Sequence, residues 1–561
     1  MTYRPPVEDL IAAMRGTHAA DAFDEDLARA VLTEAGQIAE KHFSAVNQQG
    51  DRTGARLTET GVTAAPGFSE AYAAYAGGGW LSLPFPEAYG GQELPRSLAV
   101  AVMEMMQGAN SALSLCPLLS LGAIEALLAH GDDEQKRLYL PKLISGEWTG
   151  TMNLTEPQAG SDVGALTTKA VPNGDGTYAV TGQKIFITWG DHDMVPNIVH
   201  LVLARLPDAP PGSKGISLFL CPKFLLDENG EPAVRNAVNC IALESKIGIH
   251  ASPTCVMEYS GATATLIGAP NKGLAAMFTM MNSARLNVGI QGVGWAEAAF
   301  QIALDYARER KQGAAPGVEG HAPIIAHPDV FRMLATMKAK VMAARAICYA
   351  CAAAADAGDE AREGLLTPIA KAWSTDAGVD AANLGVQVHG GMGFMNETGA
   401  AQTYRDARIG PIYEGTNGIQ AMDLVGRKLA DGGAEMLELL DEARETVKLA
   451  QASNHPDLVS AAEGLAPAIE QLAAMTGWLV ETNKSDREQV LYAATRYQAL
   501  AGCVTGAHYL VRIALGTGAD GDKALANYFV QDALPAPSLD AGQMKRASEA
   551  VRRLRETAAW I

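Results

Sequence analysis

The run TYAVTGQKIFITW at residues 177–189 decides how this chain is organised. It is a short stretch rich in aromatic and β-branched residues, and the stretches NIVHLVLARL (197–206), GISLFLC (215–221) and CVMEYSG (255–261) repeat that texture. Gly, Pro, Asn and Asp separate them, which is the pattern of strands joined by turns. Outward in both directions the period changes. From about 21 to 143 the sequence is Ala-rich, with apolar residues every three or four positions, broken by a Gly/Pro region at 77–95. From about Gly273 that period returns. Leu286, Ile290, Val293, Phe300, Leu304 and Ala307 keep one face of a helix apolar, and further helices are predicted near 330–356 and 368–388. Beyond Arg427 more helical windows follow, broken at 454–456 and 483–485, with Leu437, Leu440, Val447, Leu458, Leu465, Ile469 and Leu472 as core contacts.

The order helical, then β, then helical gives an α+β multidomain chain. It has an N-terminal helical domain (1–150), a central antiparallel β-barrel or sandwich (151–272), a C-terminal four-helix-bundle-like domain (273–428) and an additional C-terminal helical extension (429–561). Alternating βαβ units would have predicted a parallel sheet instead. The sequence holds no GxGxxG after a strand, no GxxxxGK[ST], no GxSxG and no HExxH, so any nucleotide must be held by other means.

Composition narrows the function classes. With 561 residues, 48% hydrophobic and 19% charged, the chain can bury large cores. A net charge of −19 makes the average surface repel phosphate backbones, so nucleic acid is not an expected partner. The opening MTYRPPVEDLIAAMRG lacks the basic start and apolar stretch of a secretory signal. The apolar region 112–129 is interrupted by Ser114, Pro117, Ser120, Gly122 and Glu125 and reads as a buried helix, with no membrane span. Seven scattered cysteines suit a reducing, cytoplasmic setting, and the lone CxxC of Cys348 and Cys351 lies in an Ala-rich helical run that reads as packing.

Three segments could carry chemistry. In YRDARIGPIYEGTNGIQ (404–420), Glu414 stands between Tyr413 and Gly415, with no other carboxylate within seven positions. Desolvation could tune it as a general base; an N-cap or a salt-bridged surface Glu is the alternative. In MNLTEPQAGSD (152–162), hydroxyls and backbone amides of a Gly-containing turn can bind a planar heteroatom edge or a phosphate, or form only a polar turn. In QKIFITWG (183–190), Phe186 could lie against a ring; alone it reads as core.

Taken together, these segments resemble the acyl-CoA dehydrogenase family of flavoproteins. The similarity runs from about Gly79 to Arg427 through Gly79-Trp80, YGGQELP (89–95), the LTEP and AGSD pieces (154–162), KIFIT (184–188), Ala284-Arg285, ERKQG (309–313), QVHGGMGF (387–394) and YEGTNGIQ (413–420). The longer N-terminal part and the helical extension look most like the long subgroup that contains 3-methylmercaptopropionyl-CoA dehydrogenase. The resemblance implies FAD at the junction of the β domain and the C-terminal helices. Residues matching Met152, Leu154, Thr155 and Ser161 would hold the flavin edge and pyrophosphate, and those matching Phe186 and Thr188 would contact the isoalloxazine ring. Arg310, Gln312, Gln387 and Gly391 match positions that reach the FAD of a neighbouring subunit, which implies a homodimer or a dimer of dimers. Thr416 matches another FAD contact.

The same resemblance makes Glu414 the base that abstracts the α-proton of an acyl-CoA and Arg285 a residue that orients base and substrate. The thioester oxygen would be polarised by the base's own backbone N–H and a ribityl hydroxyl, while hydride passes from the β-carbon to flavin N5. The product would be a trans-2-enoyl-CoA, with electron-transfer flavoprotein as acceptor and a short or medium acyl thioester as substrate, 3-methylthiopropionyl-CoA among them. Departures from the family pattern are Phe186 for a more frequent Trp, Trp189 for a small polar residue, Gln312-Gly313 without the common Phe-Gly continuation, and Gly418 for a common Gln. An acyl-CoA oxidase is the nearest alternative. A DNA-binding flavoprotein of the same fold is the other, and it would need Lys545, Arg546, Arg552, Arg553 and Arg555 to form a basic face.

Overall fold

The computed structural model describes residues 2–19, 22–534 and 540–557. The chain gathers into two compact units, one made of Thr2–Pro5 and Leu32–Asn287, the other of Pro6–Val31 and the chain from Val288 onward.

In the first unit, local sequence signals start the helices. Asn110 caps the helix Ser111–His130 by accepting the Leu113 N–H at 3.1 Å. Asp132 and Gln135 form a reciprocal capping box at the head of Asp133–Ile144. Ser111–His130 is the expected buried apolar helix. By length and composition it could cross a membrane, as could Arg487–Thr517 in the second unit, but 78% of each apolar window is buried within the protein. The strand Thr149–Asn153 lies against Ser111–His130 at Gly150, where a Cβ would come within 2.4 Å of Ala123 Cβ. The Gly150 N–H donates to Ser120 Oγ at 3.0 Å.

The seven-stranded sheet is built around two long strands. Thr254–Ile267 pairs antiparallel with Tyr178–Thr188, Val238–Leu243 and Ile216–Pro222. Lys169–Pro172 pairs antiparallel with Tyr178–Thr188, and Ile216–Pro222 with Ile198–Arg205. The expected all-antiparallel sheet needs correcting, because Ile198–Arg205 runs parallel to Thr149–Asn153 and meets Lys169–Pro172 in parallel at the Lys169↔Arg205 pair. Between residues 153 and 198 the chain makes two other strands, which is length enough for the crossover that parallel pairing requires.

The second unit is helical. Its long helices are Gly273–Glu309, which starts in the first unit, then Pro328–Asp356 and Glu360–His389, followed by Ala434–Ala452, Pro456–Asn483 and Arg487–Thr517. The breaks at 454–456 and 483–485 fall between these elements. Packing departs from chain order at the N-terminus, since helix Val7–Thr17, grouped by sequence with 1–150, packs on Arg487–Thr517 and Pro328–Asp356. Gly16 makes this possible, as a Cβ there would lie 2.4 Å from Ile513 Cγ1. Leu440, Val447, Leu458, Leu465, Ile469 and Leu472 are buried as expected. Leu437 is a correction. It is exposed, because Ala434–Ala452 buries the stripe Met436, Leu439, Leu440, Ala443 and Val447 and leaves Leu437 at its rim.

Gly273–Glu309 and Glu360–His389 meet backbone to backbone. A Cβ on Gly292 would lie 2.4 Å from the Ser374 carbonyl oxygen, and one on Gly378 would lie 2.7 Å from that of Gly292. Gly292→Ala therefore costs about 1–3 kcal/mol by overpacking and lowers the thermal midpoint by several degrees. The control Gly477→Ala, where a Cβ meets nothing within 4 Å, leaves the midpoint unchanged or raises it in the same melting experiment.

Candidate active site

The first unit carries a turn and a bulge that support one another. The turn after Thr149–Asn153 wraps around Glu156, which is buried with its partner Lys184 at 2.8 Å. Glu156 Oε2 accepts the Thr167 N–H (2.7 Å), the Thr167 hydroxyl (2.8 Å) and Gln158 Nε2 (2.7 Å). Its Oε1 accepts the Thr168 N–H (3.1 Å), the Thr168 hydroxyl (2.6 Å) and Lys184 Nζ. Burial opposes ionisation of this carboxyl, but the Lys184 charge and these donors outweigh it and hold the pKa down at about 2. Burial pulls Lys184 down to about 8 against the attraction of Glu156. Lys184 Nζ also donates to the Leu154 carbonyl at 3.0 Å, and the Ile185 N–H to the Thr155 carbonyl at 2.9 Å. Neither Glu156 nor Lys184 stood among the sequence-predicted site residues. Their signal was an acidic residue in one, and the single basic residue in the other, of the two segments already singled out.

The bulge is at Phe186. Against Thr254–Ile267 the register slips, so that Ile187 faces Cys255 while Lys184 faces Met257. The extra residue adopts φ +60°, a left-handed conformation that costs a non-glycine residue about 1–3 kcal/mol. Phe186 is thereby turned out and 57% exposed, so its reading as a core residue is overturned. Trp189 ends this strand, also with positive φ (+52°). Its indole N–H donates to the Ala112 carbonyl at 3.0 Å and its ring stacks on Phe68. The unusual Trp189 thus anchors the strand to the head of helix Ser111–His130.

In the same region Met152 is buried, Leu154, Thr155 and Thr188 are half-buried, and Ser161 is exposed beside Gly160, where a Cβ would meet nothing within 4 Å. An exposed hydroxyl, an open turn backbone and an aromatic ring held out by a bulge suit a planar, hydrogen-bonding ring with a phosphate tail. Arg285, buried on Gly273–Glu309, also falls in this unit.

The second unit carries Glu414. The turn between Ala400–Ala407 and Asn417–Asp423 places it at φ +53°, again left-handed, with Gly415 at +82°. Buried Lys371 on Glu360–His389 donates to the Gly415 carbonyl and to Asn417 Oδ1, both at 2.8 Å. Gln420 Nε2 donates to the carbonyls of Glu414 (3.2 Å) and Gly415 (3.3 Å). Asn417 Nδ2 reaches back to the Ala372 carbonyl, Thr375 Oγ1 and Asp376 Oδ1. The Tyr413 hydroxyl donates to Gln291 Oε1, and burial, reinforced by the Glu414 charge, keeps that phenol protonated. The cap of Asn417–Asp423 is Thr416, whose Oγ accepts the Ile419 N–H at 3.3 Å, so Glu414 is not an N-cap.

Arg310, Gln312, Gln387 and Gly391 are exposed. Stacking of Tyr306 on His389, with centroids 4.3 Å apart, joins their two segments. They are not brought to Glu414. Gln387 lies sixteen residues along one helix from Lys371, which spans about 24 Å at 1.5 Å per residue. The basic residues of Ala541–Thr557 are largely neutralised. Arg552 pairs with Asp486 (2.8 Å) and Glu488 (3.3 Å), Arg555 with Glu488 (3.1 Å) and Lys545 with Glu549 (4.0 Å).

Four family models match in chain order: acyl-CoA dehydrogenase N-terminal domain at residues 26–147, middle domain at 151–261, C-terminal domain at 271–429, and acetyl-CoA dehydrogenase C-terminal like at 439–555. The chain belongs to the acyl-CoA dehydrogenase family. It is 49% identical over 457 residues, 77% of either chain, to the 3-methylmercaptopropionyl-CoA dehydrogenase of Ruegeria pomeroyi. To the broad-specificity linear acyl-CoA dehydrogenase FadE5 of Mycobacterium tuberculosis it is 33% identical over 556 residues, 91% of each. The crystal structure of Caenorhabditis elegans ACDH-11 in complex with C11-CoA shares the fold, with a TM-score of 0.84 over 99% of this chain and 95% of that one at 22% identity. The protein is an FAD-dependent acyl-CoA dehydrogenase, and the turn and bulge of the first unit fit that cofactor.

The Glu156–Lys184 pair yields a two-part prediction. Glu156→Gln leaves a buried ammonium without its counter-charge, at a cost of about 3–5 kcal/mol, and thermal melts and bound-flavin content both fall. Because the folded-state pKa of Glu156 is depressed from 4.5 to about 2, its stabilisation is complete above about 4.5 and is lost as pH falls toward 2. An acid titration of flavin release shows this loss in the wild type, and the Glu156→Gln profile is flat across that window.

Proposed function

We propose that the substrate is a short or medium acyl-CoA, with 3-methylthiopropionyl-CoA converted to 3-methylthioacryloyl-CoA in a dimethylsulfoniopropionate-degrading sequence, and that Glu414 is the catalytic base. The observation that carries the substrate assignment is the 49% identity to a relative named for that thioester. For Glu414 it is the left-handed turn that a buried lysine and two amide side chains hold in place. Such a turn fixes one carboxylate for a single proton, and positioned general bases contribute about 10²–10⁴-fold.

In this reading Glu414 takes the α-proton on its carboxylate while its own backbone N–H donates to the thioester oxygen, and Arg285 orients base and substrate. Met152, Leu154, Thr155 and Ser161 hold the flavin edge and pyrophosphate, and Phe186 and Thr188 cover the ring. When bound, FAD supplies the acceptor for the β-hydride. Arg310, Gln312, Gln387 and Gly391 serve the FAD of a second subunit. Gln387 supports this reading by lying about 24 Å along its helix from Lys371, and the working form is then a homodimer or a dimer of dimers. Thr416 adds a contact through the proton of its capping hydroxyl. Electrons leave to electron-transfer flavoprotein in the cytoplasm. We read the five strands that pair in a circuit, 169–172, 178–188, 254–267, 216–222 and 198–205, as a barrel. The chain divides functionally at 150, 272 and 428.

Initial rates on a panel of acyl-CoAs with a ferrocenium acceptor test this. Turnover of short or medium thioesters, the methylthio compound included, falls at least about 10²-fold in Glu414→Gln while the yellow, flavin-loaded protein persists. Full activity in that variant removes Glu414 from the mechanism, and preference for long or aryl chains removes the substrate assignment.

A further inference from the structure

We propose that Cys240 and Cys255 form a reversible disulfide, a peroxide-driven modification site in the sheet that carries Phe186. The two residues lie on adjacent antiparallel strands, Val238–Leu243 and Thr254–Ile267. Cys240 faces Met257. The register then slips at Ile241, so that Ala242 faces Val256 and Leu243 faces Cys255. A bulge of this kind bends its strand and re-aims the residues beside it. Both sulfurs end on the same face, where Cys240 packs against a core cluster that includes Val238, Cys255, Met257 and Tyr259. Cys240, opposite Met257, is thus the diagonal cross-strand neighbour of Cys255. Cys240 Sγ donates to the Ala242 carbonyl at 3.2 Å, toward the Cys255 end of the ladder.

The two thiols are unlike in the way a peroxidatic and a resolving cysteine must be. Of the seven cysteines Cys240 alone has solvent access; the other six are buried. The neighbouring Cys255 thiol, working against burial, lowers the Cys240 pKa from its usual value, while burial drives that of Cys255 well up. Thiolate character and exposure together select the sulfur that is oxidised. Cys348 and Cys351, the lone CxxC, have neither property. They are buried against Ser374 (3.4 Å) and Thr367 (3.5 Å) of the neighbouring helix.

The chemistry needs hydrogen peroxide as oxidant and balances in two steps. The Cys240 thiolate attacks one peroxide oxygen; an S–O bond forms, the O–O bond breaks, hydroxide leaves as water, and the sulfur gives up two electrons to become a sulfenic acid. The Cys255 sulfur then attacks Cys240. An S–S bond forms, the S–O bond breaks, and the departing hydroxide carries off the Cys255 proton as water. Two thiols and one peroxide become one disulfide and two waters. Because Cys255 pairs with Ile187, next to the Phe186 bulge, the cross-link ties the edge strand to the strand backing the flavin-site residues.

The test uses the flavin-loaded protein exposed to stoichiometric hydrogen peroxide, then denatured and alkylated. Two of the seven thiols become unreactive, the intact mass falls by roughly 2 Da, peptide mapping joins Cys240 to Cys255, and dithiothreitol restores both thiols. Cys240→Ser loses the cross-link. In Cys255→Ser a sulfenic-acid trap labels Cys240. Retention of all seven thiols, a Cys240 sulfinic acid beside an intact Cys255 thiol, or a cross-link surviving in Cys240→Ser each overturns the proposal.

Discussion

A buried lysine bonding a backbone carbonyl recurs in both units, each time in or against a segment that carries a strained, left-handed residue. In the first unit Lys184 bonds the Leu154 carbonyl and the Glu156 carboxylate, two residues before Phe186 stands at φ +60°. In the second, Lys371 bonds the Gly415 carbonyl, one residue after Glu414 at φ +53°. A side chain held in left-handed backbone costs about 1–3 kcal/mol and relaxes unless its surroundings over-determine it. Charge-assisted hydrogen bonds in a water-free setting contribute about 1.5–3 kcal/mol each, enough to offset that strain. Both lysines are fully buried, so neither bond competes with solvent.

The two clamps differ in how their charge is balanced. Lys184 has a dedicated carboxylate, and Glu156 in turn gathers two hydroxyls, two backbone N–H groups and an amide, so the pair organises a whole turn. Lys371 instead donates to a carbonyl and to the Asn417 amide oxygen, and the nitrogen of that amide donates to Thr375 Oγ1 and Asp376 Oδ1. The first arrangement keeps an ion pair inside the turn that follows Thr149–Asn153. In the second, these bonds join the lysine to no carboxylate directly, and Asp376 enters through the Asn417 amide.

Element type and order were legible because their causes are local. Asn454-His455-Pro456 and Asn483-Lys484-Ser485 stop helices through Pro geometry and side-chain competition for the backbone, and helices do end there. The change from a period near 3.6 to short β-rich runs at about residue 150 marked the sheet. Long-range outcomes left no such trace. Parallel pairing of Thr149–Asn153, the docking of Val7–Thr17 on Arg487–Thr517 and the outward turn of Phe186 depend on partners tens to hundreds of residues away. The family motifs named Phe186 and Glu414, whereas the lysines that hold them, and the cross-strand meeting of Cys240 with Cys255, emerge only when strands and helices are set side by side.

The helical extension acts on the site through Glu360–His389. Trp373, two residues from Lys371, lies against Gly502 of Arg487–Thr517, where a Cβ would come within 2.3 Å of its indole, and edge-on to Phe529. Gln498 Nε2 donates to the Pro368 carbonyl at 2.7 Å, one turn before Lys371. Asn417–Asp423, the helix that begins three residues after Glu414, also packs on Arg487–Thr517. The extension therefore covers the outer side of the helix whose inner residues clamp the Glu414 turn, and it leaves that helix no freedom to bow at Pro368, where a backbone N–H is missing. In a shorter chain that face would be open to solvent or to another subunit; here the chain supplies its own brace, and the Glu414 turn is held in part through residues more than eighty positions away.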